Sequence, residues 1–382
     1  MREILTQVQA ADAAISTRKR RRILYLMQVD WQWIKQRPQF LAEGLAAEHD
    51  VQVLYPRPLK KPNYPTRGAE HVARLPLLPI PWRWRSLQWA RTLHRQWISL
   101  VARRFRPDTI WVTHPSLMDL MPRRLMECSI IYDCMDDALA MASGENEMAQ
   151  WAQLEQRLVK CSRKILCSSA YLGEVLADRY PSDIPRKLSV VRNAVSTEFL
   201  AGSFETRTQM KPIAGRRCKV AYFGTVAEWL DFDALLSCLA GRPNIEFHLV
   251  GPATVLSPPR HERLHYHGAI SHDRLREYVD QFDAFLVPFQ VTRVIRAVDP
   301  VKLYEYLALG KEVISVQYPE INRFGDFVHF YKTRSEFIQL VDDLAAGKLP
   351  VKNRPEVTRA FLERNTWHTR VAQICELLDS LN

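Results

Sequence analysis

Short apolar segments rich in β-branched residues alternate with helical patterns along most of this chain, and the alternation starts twice. The first series of predicted strands comprises residues 23–29, 51–55, 109–113, 129–132, 164–168 and 188–191. The second series comprises residues 220–224, 245–251, 284–288 and 313–316. Strands that alternate with helices form a parallel sheet that is covered on both faces. The pattern therefore predicts an α/β protein with two similar halves, each built on a parallel sheet.

Interruptions of this alternation predict the domain boundaries. Residues 1–20 are polar and end in a basic run, and we expect them to be a disordered tail. Residues 21–200 would form the N-terminal domain, and residues 218–354 would form the C-terminal domain. The polar stretch 201–217 contains Pro and Gly and is typical of an interdomain linker. We expect residues 355–382 to form one closing helix.

The composition is that of a globular protein and argues against several other classes. Of the 382 residues, 47% are hydrophobic and 25% are charged, which excludes a disordered chain. The seven cysteines occur singly, without a CxxC pair, so the sequence predicts neither a zinc site nor a disulfide framework. The first 20 residues contain Glu3 and Asp12 and lack the apolar core of a signal peptide. We expect a cytoplasmic protein with no membrane span.

The net charge of +11 is concentrated in a segment that also carries tryptophans. Residues 83–106 contain seven arginines and no acidic residue, and tryptophans are interleaved with them. This mixture is typical of a helix lying in a lipid headgroup layer, where anionic lipid attracts each basic residue by about 1 kcal/mol. The residues predicted to contact a membrane or acceptor are Trp82, Trp84, Arg85, Trp89 and Arg91. The alternative is a surface helix whose tryptophans face the core.

A basic and aromatic segment of this kind could also serve a nucleic acid. No nucleic-acid-binding motif accompanies residues 83–106, so we expect no nucleic-acid partner. A basic nucleic-acid-binding protein stays open as the alternative from another functional class.

The segment 300–311 has the pattern of a short helix that can bind an anion. Pro300 opens the predicted helix, Gly310 closes it, and a β-branched strand follows. The free N–H groups and the dipole of a helix N-terminus favour negative charge. Lys302 adds a positive charge there, and Glu305 lies one turn further on the same face. This layout suits a nucleotide diphosphate, with the carboxylate on the ribose diol. The alternative is an amphipathic helix with two solvated charges.

Five sequence elements resemble those of GT-B glycosyltransferases from bacterial polysaccharide assembly. They lie at residues 37–43, 191–199, 222–231, 300–310 and 365–370. The first is similar to the opening helix of transferases of the teichuronic-acid type, and the fourth is similar to the P.K..EYLA.G helix of family 4-like enzymes. The resemblance implies the GT-B fold, in which two Rossmann-like domains face across a cleft. It also implies that the N-terminal domain binds the acceptor and the C-terminal domain binds the donor.

The resemblance implies a glycosyltransferase of class EC 2.4. Such an enzyme would move a sugar from a nucleotide-diphosphate donor, expected to be UDP-linked, to a lipid-linked saccharide. The reaction would belong to exopolysaccharide or cell-surface polysaccharide biosynthesis. The enzyme would be a peripheral protein on the anionic inner face of the plasma membrane. GT-B enzymes resemble one another in needing no bound metal, so we expect no metal and no cofactor beyond the nucleotide-sugar co-substrate.

The predicted donor-binding residues lie in the C-terminal half of the chain. They are Gly224, Thr225, Phe289, Arg293, Arg296, Lys302 and Glu305. The charge that develops on the leaving diphosphate needs fixed positive groups, and Lys302, Arg293 and Arg296 are the candidates. A glycine turn at Gly224 allows the backbone to approach the phosphates closely. Phe289 is expected either to stack on the base or to be a core aromatic residue.

The catalytic mechanism is predicted from one departure and one further similarity. Retaining enzymes with this helix carry a Glu-x7-Glu pair, but Ala297 stands where the first glutamate would precede Glu305. The inverting glucuronosyltransferases of xanthan assembly contain a Tyr-x-x-x-Asp segment whose aspartate is the base, and Tyr132 to Asp136 is similar to it. The similarity implies inversion with Asp136 as the base. A retaining transferase or a nucleotide-sugar epimerase is the alternative.

Three aspartates in five residues, Asp133, Asp136 and Asp137, are expected to repel one another and to raise the pKa of one of them. A carboxylate can accept the proton of an acceptor hydroxyl within hydrogen-bond reach. Asp136 is the predicted base, and Asp137 is the second candidate. Alternatively, Asp133 or Asp137 caps the next helix or pairs with an arginine. His114, which follows a predicted strand, is the candidate catalytic residue of a retaining enzyme.

Overall fold

The chain folds into two α/β units, and each of them is built on one parallel sheet. The computed structural model describes residues 20–32, 35–57, 72–80, 84, 87–201, 215–270 and 278–381. The N-terminal unit combines the residues up to Arg192 with Trp367–Asn382, and the C-terminal unit comprises Asn193–Thr366. Nearly all of the predicted tail (1–20) and most of the predicted linker (201–217) lie outside the described residues.

The N-terminal unit contains a seven-stranded sheet. Its strands are β1 (Arg22–Leu26), β2 (Asp50–Tyr55), β3 (Ala73–Pro76), β4 (Thr109–Val112), β5 (Ser129–Cys134), β6 (Ser162–Cys167) and β7 (Leu188–Val190). Its helices are α1 (Arg37–Glu48), α2 (Gln88–Phe105), α3 (Glu145–Cys161), α4 (Ala170–Arg179) and, from the end of the chain, α11 (Trp367–Asp379). The strand order is β3-β2-β1-β4-β5-β6-β7, and all neighbours are parallel.

The C-terminal unit contains a six-stranded sheet. Its strands are β8 (Cys218–Phe223), β9 (Ile245–Val250), β10 (Leu264–Tyr266), β11 (Ala284–Val287), β12 (Glu312–Val316) and β13 (His329–Tyr331). Its helices are α5 (Thr197–Ala201), α6 (Phe232–Leu239), α7 (Arg293–Arg296), α8 (Val301–Ala308), α9 (Arg334–Ala345) and α10 (Pro355–Glu363). The strand order is β10-β9-β8-β11-β12-β13, again with parallel neighbours throughout.

The central strands are apolar because the sheet is covered on both faces. Every residue of β4, β9, β11 and β12 is buried. Parallel strands in such a position read as continuous apolar runs, which is why the sequence pattern found them. The short edge strands β3, β10 and β13 were not predicted, since three or four residues carry too little pattern. The prediction of two parallel α/β domains is confirmed.

The end of the chain corrects the prediction of one closing helix. The structure has two helices, α10 and α11, which belong to different units. Between them Thr366 pairs with Val195 as a parallel bridge, which turns the chain. Helix α11 packs on α1, where the rings of Trp367 and Phe40 stack with their centroids 5.0 Å apart. The division between the units lies after Arg192, whereas the sequence analysis placed the end of the N-terminal domain at residue 200.

Among the residues that the structure describes, no helix combines the length and the apolar character needed to cross a bilayer.

Candidate active site

In each sheet the strand order reverses at one point, which is the usual ligand position in open parallel sheets. The reversal lies between β1 and β4 in the N-terminal unit and between β8 and β11 in the C-terminal unit. Ligands of such folds bind outside the carboxyl ends of the strands at this point. The predicted site residues are therefore expected at these two edges.

Two glycines end neighbouring strands of the C-terminal unit. Gly224 follows β8 with φ 147°, and Gly251 follows β9 with φ 148°, conformations that residues with a Cβ rarely adopt. A Cβ on Gly251 would lie 2.0 Å from the carbonyl oxygen of Gly224. The two backbones are also linked, because Gly224 N donates to the carbonyl of Val250 over 2.8 Å. This glycine pair keeps the strand ends free of side chains.

Lys302 lies at the glycine pair. Its Nζ donates to the hydroxyl of Tyr222 over 3.0 Å, and a Cβ on Gly224 would lie 2.9 Å from the same Nζ. The ammonium also lies 4.7 Å from the ring centre of Tyr222 and 5.0 Å from that of Phe289. Aromatic faces attract a cation at these distances. The lysine of the first turn of α8 is therefore held in place beside Gly224.

A buried polar network fixes the beginning of α8. Asp299 is 2% exposed and lies two residues before the helix, next to Pro300. Its carboxylate accepts from the backbone N–H of Asn193 over 2.8 Å, from the hydroxyl of Tyr304 over 3.2 Å, and from Arg323. The Asn193 side chain donates to the carbonyl of Asp299 over 2.6 Å. These bonds hold the helix N-terminus, and with it Lys302, at the edge of the sheet.

The structure places the remaining predicted donor residues as follows. Thr225 is half-buried, and its carbonyl accepts from the hydroxyl of Tyr222 over 3.0 Å. Phe289 is 4% exposed and lies against Lys302, in agreement with a core position, so stacking on a base stays a prediction. Arg293 and Arg296 are exposed on the one-turn helix α7, and Glu305 is half-buried on α8. Gly224, Thr225, Phe289 and Lys302 are thus brought together.

The three neighbouring aspartates of the N-terminal unit have different surroundings. Asp133 is fully buried and forms an ion pair with Arg37 over 2.8 Å. Asp137 caps the short helical turn that follows it, accepting from Ala140 N over 3.4 Å, and pairs with Arg179 over 2.8 Å. Both residues therefore have the alternative role. Asp133 pairs with an arginine, and Asp137 both caps a helical turn and pairs with an arginine. Asp136 is the exposed member of the three.

Asp136 follows β5, the neighbour of β4, at the carboxyl edge of the sheet. The residue is exposed, but the density of protein around its carboxyl reduces hydration and raises the pKa of that carboxyl above the ordinary 3.8. Arg37 opposes this rise, and the negative charges of Asp133 and Asp137 add to it. A carboxylate with a raised pKa accepts a proton more readily, which is what a general base requires.

His114 lies two residues beyond the end of β4, at the reversal point. Burial lowers the pKa of its imidazole to about 4, so the ring is neutral at physiological pH. Nδ1 accepts from the backbone N–H of Ser116 over 3.2 Å, and the ring lies edge-on to Trp151 with centroids 4.8 Å apart. The residue is half-buried, and it can act as a hydrogen-bonding group without being a standing positive charge.

The basic and aromatic segment forms α2, with one apolar face open to solvent. Trp89 is 48% exposed, Leu93 41% and Leu100 60%, and their spacing of four and seven residues puts them on one face. Trp84 is also 48% exposed. Trp97 instead donates its indole N–H to the carbonyl of Pro76 over 3.1 Å.

The predicted membrane residues therefore differ in how available they are for contact with a membrane. Trp84 and Trp89 are exposed, whereas Arg91 forms an ion pair with Asp119 over 2.6 Å. Trp82 and Arg85 lie outside the described residues.

Sequence reasoning missed several groups that shape the two edges. They are Gly251, Tyr222 and the network of Asn193, Asp299 and Arg323. Gly251 could have been found, because it ends an apolar strand in the same way as Gly224 does. The network carries no local signal, since its members lie in separate parts of the chain.

Comparisons with known proteins show that this chain is similar to glycosyltransferases. Residues 39–199 match the sequence profile of Glycosyltransferase Family 4. The putative teichuronic acid biosynthesis glycosyltransferase TuaH of Bacillus subtilis strain 168 is 24% identical over 274 residues, which cover 68% of each chain. These findings confirm the resemblance that the sequence motifs indicated.

Solved structures of glycosyltransferases share the fold at low sequence identity. HepE of Anabaena, solved with UDP and glucose, has a TM-score of 0.67 at 14% identity, covering 94% of this chain and 100% of its own. Sucrose-phosphate synthase of Thermosynechococcus elongatus has a TM-score of 0.69 at 13% identity, covering 94% and 98%. The solved structures show that the chain has the GT-B fold, and the family profile and TuaH show that it is similar to glycosyltransferases of family 4.

Proposed function

We propose that this glycosyltransferase moves a sugar from a UDP-linked donor to a lipid-linked saccharide during assembly of a cell-surface polysaccharide. In this proposal the C-terminal unit binds the donor, and the N-terminal unit supplies the base that activates the acceptor. The reaction inverts the anomeric configuration, and the enzyme acts as a peripheral protein at the inner face of the plasma membrane.

The observation that carries the proposal is the position of Lys302 beside Gly224. A diphosphate needs a positive charge, backbone that can approach closely, and a helix N-terminus. The C-terminal unit offers all three at the carboxyl end of β8, with the ammonium oriented by Tyr222 and the helix start fixed by Asp299. Glu305, half-buried one turn further along α8, is the proposed partner of the ribose hydroxyls.

The similar structures support UDP as the nucleotide. HepE of Anabaena has been solved with UDP and glucose, and also with UDP-glucose. Its fold covers 94% of this chain. The proposed donor is therefore a UDP-sugar, with Arg293 and Arg296 on the exposed helix α7 as further candidates for contact with its phosphates.

The proposed chemical step is a single displacement. The acceptor hydroxyl oxygen attacks the anomeric carbon, the bond from that carbon to the diphosphate oxygen breaks, and the hydroxyl proton passes to Asp136. UDP leaves with the bonding electron pair, and Lys302 and the start of α8 stabilise its charge. The support for Asp136 is that it is exposed, has a raised pKa, and has neighbouring aspartates that are already used in ion pairs.

The membrane part of the proposal depends on α2. Its exposed face presents Trp89, Leu93 and Leu100, and the exposed Arg103 and Arg104 lie near the end of the same helix. An apolar stripe flanked by cations is the pattern of a helix that lies in the headgroup region of an anionic bilayer. A lipid-linked acceptor would be presented at this surface.

A retaining transferase is the second candidate, and His114 is the observation that favours it. The residue lies at the reversal point of the N-terminal sheet and is neutral, so it can form hydrogen bonds to a bound sugar. Inversion is preferred because Ala297, which is 2% exposed, stands where retaining enzymes carry a glutamate.

One experiment tests the proposal and separates the two mechanisms. The full chain is incubated with a panel of radiolabelled nucleotide sugars and lipid extracts as acceptors, and the product linkage is determined by NMR. The proposal expects transfer from a UDP-sugar with an anomeric configuration opposite to that of the donor. Retained configuration would replace the inverting mechanism by the retaining one. Transfer from no nucleotide sugar in any extract would contradict the proposed reaction.

A further inference from the structure

Three side chains that bind metals in other proteins converge on one face of the C-terminal sheet. Glu246 and His248 project from β9 two residues apart, and His265 on β10 is paired in register with His248. The His248 Nε2 lies 3.5 Å from one carboxylate oxygen of Glu246, and the His265 Nε2 lies 4.0 Å from the other. One ligand atom from each of the three lies within 4.8 Å of those of the other two.

His248 is the member whose bonding is incomplete. The residue is 7% exposed, and its Nε2 is buried with no hydrogen-bond partner among the described residues. Its Nδ1 is engaged, because it lies 3.0 Å from Nε2 of His267. Buried polar atoms in folded proteins nearly always have a partner, so this nitrogen calls for an explanation. A proton on Nδ1 donated to His267 would leave a lone pair on Nε2, directed at the space between Glu246 and His265.

We propose that Glu246, His248 and His265 form a binding site for a divalent transition-metal ion of the zinc class. Imidazole with carboxylate is a ligand set for Zn²⁺, Co²⁺ or Ni²⁺, whereas Mg²⁺ and Ca²⁺ prefer oxygen ligands alone. In a tetrahedral site with Zn–N bonds of 2.0–2.1 Å, ligand atoms are about 3.3 Å apart. The three ligand atoms lie within 4.8 Å of one another, so binding needs a closure of at most about 1.5 Å.

The surroundings of the three ligands support this assignment. His267 Nε2 lies 3.0 Å from Nδ1 of His248 and can accept the proton of the tautomer that leaves Nε2 to a metal, the arrangement by which metal-binding histidines are commonly oriented. Arg217 donates to Oε1 of Glu246 over 2.6 Å and leaves Oε2, the oxygen nearer to His248, for the metal. Water or an outside ligand would complete the coordination.

The expected consequence is a tie between a central strand and the edge of the sheet. The metal would join β9 to the short edge strand β10. The chain that leaves β10 reaches Gly268, whose carbonyl accepts from the N–H of Gly251 over 2.7 Å. The site would therefore stabilise the strand that lies behind the glycine pair, and it takes no part in the transfer step itself.

The test is a direct measurement of bound metal on the full chain. Protein stripped with a chelator is dialysed against Zn²⁺ in an excess of Mg²⁺, and the retained metal is quantified by mass spectrometry. We expect one Zn²⁺ per wild-type chain, and a rise in Tm on adding Zn²⁺ that follows from mass action. The absorption spectrum of the Co²⁺ form should show the visible bands of tetrahedral coordination by nitrogen and oxygen.

Matched variants decide whether this site holds the metal. His265→Gln and His248→Gln should both lose the bound Zn²⁺ and the rise in Tm. His368→Gln, which removes an exposed histidine of α11, should keep both. His265 has a side chain that is 37% exposed, so its replacement leaves the core intact even if His248→Gln does not fold. Wild-type protein that retains no Zn²⁺, or His265→Gln that retains as much as wild type, would overturn the proposal.

Discussion

The two units share one topology and present opposite chemistry at the same place. In both sheets the strand order reverses once, and the candidate residues follow the carboxyl ends of the strands at that edge. The C-terminal edge has glycines in place of side chains and a lysine held above them. The N-terminal edge carries an exposed carboxylate and a neutral histidine.

This difference shows that the segments following the strands, and not the sheets themselves, determine what each unit can bind. An edge with a cation and open backbone suits a diphosphate, and an edge with a carboxylate of raised pKa suits proton removal. In the N-terminal unit, arginines neutralise two of three adjacent aspartates and leave Asp136 exposed. In the C-terminal unit, a tyrosine and a phenylalanine orient one lysine.

The largest expected effect is on the rate of transfer. It distinguishes a role of Asp136 as the base from a role in donor binding. Asp136→Asn should lower the rate of transfer by about 10³-fold, the usual contribution of a general base, while the Kd for the donor stays unchanged. Asp178→Asn removes an exposed carboxylate of α4 in the same unit and should leave the rate unaltered. The measurement is steady-state transfer together with donor titration. A normal rate in Asp136→Asn would remove this residue from the mechanism.

The pH dependence of wild-type activity is a second test of Asp136 as the base. Asp136 must be ionised to accept a proton, so activity is present above its pKa and falls as the pH drops through it. Because the surrounding protein raises this pKa, the acid limb of kcat/KM should lie above pH 3.8. The limb should be absent from the residual activity of Asp136→Asn. An acid limb that is identical in the two proteins would assign it to another group.

Substitution within the glycine pair should lower the free energy of unfolding, whereas substitution of a glycine with open space in the N-terminal unit should not. Gly251→Ala places a Cβ 2.0 Å from a backbone oxygen at φ 148°, and we expect a loss of stability of about 4 kcal/mol. Gly224→Ala should also lose stability because of its φ of 147°, and it should in addition weaken donor binding, because its Cβ meets the movable ammonium of Lys302. Gly144→Ala, which has open space around it, is the control. Equal unfolding free energies for all three variants would contradict the close approach.

Acid should destabilise the N-terminal unit through His114. Its pKa is about 4 when folded and about 6.5 when unfolded, so its contribution is fully present above pH 6.5 and is lost as the pH falls towards 4. We expect about 2 kcal/mol of the acid-dependent loss to disappear in His114→Gln. Urea unfolding at pH 7 and at pH 4.5 measures it. A pH dependence that is unchanged in the variant would show that other groups dominate.

The smallest effect per residue concerns membrane binding by α2. Each of Arg103→Ser and Arg104→Ser should weaken binding to anionic vesicles by about 1 kcal/mol, or roughly fivefold. Leu100→Ser should weaken it as well, since that residue is 60% exposed on the apolar face. Val357→Ser, which removes an exposed valine of α10 in the other unit, serves as the control. Co-sedimentation that is insensitive to anionic lipid and to these changes would exclude the membrane proposal.

The sequence predicted the features that depend on local pattern. The parallel sheets followed from apolar runs, and the α8 helix followed from Pro300 and Gly310, which mark its two ends. Lys302 could be placed at a helix N-terminus because it follows Pro300, which opens the helix, by two residues. Gly224 was predicted because a glycine directly ends a strand.

Features that depend on distant partners could not be predicted. Asp133 and Asp137 look alike in the sequence, but Arg37 lies 96 residues from the first and Arg179 lies 42 residues from the second. The end of α10 depends on the pairing of Thr366 with Val195, which no local pattern shows. The cluster of Glu246, His248 and His265 could not be predicted either, because His265 lies 17 residues after His248 on a different strand.

The central claim is that the C-terminal unit binds a diphosphate through Lys302 at the glycine pair. It is tested most directly by calorimetric titration of nucleoside diphosphates into the wild type and two variants. Wild type should bind UDP, and Lys302→Met should bind it about 10- to 100-fold more weakly, because a charged hydrogen bond is lost. Lys348→Met, which removes an exposed lysine of the same unit, should match the wild type. Equal affinity of wild type and Lys302→Met, or no binding of any nucleoside diphosphate to the wild type, would contradict the account.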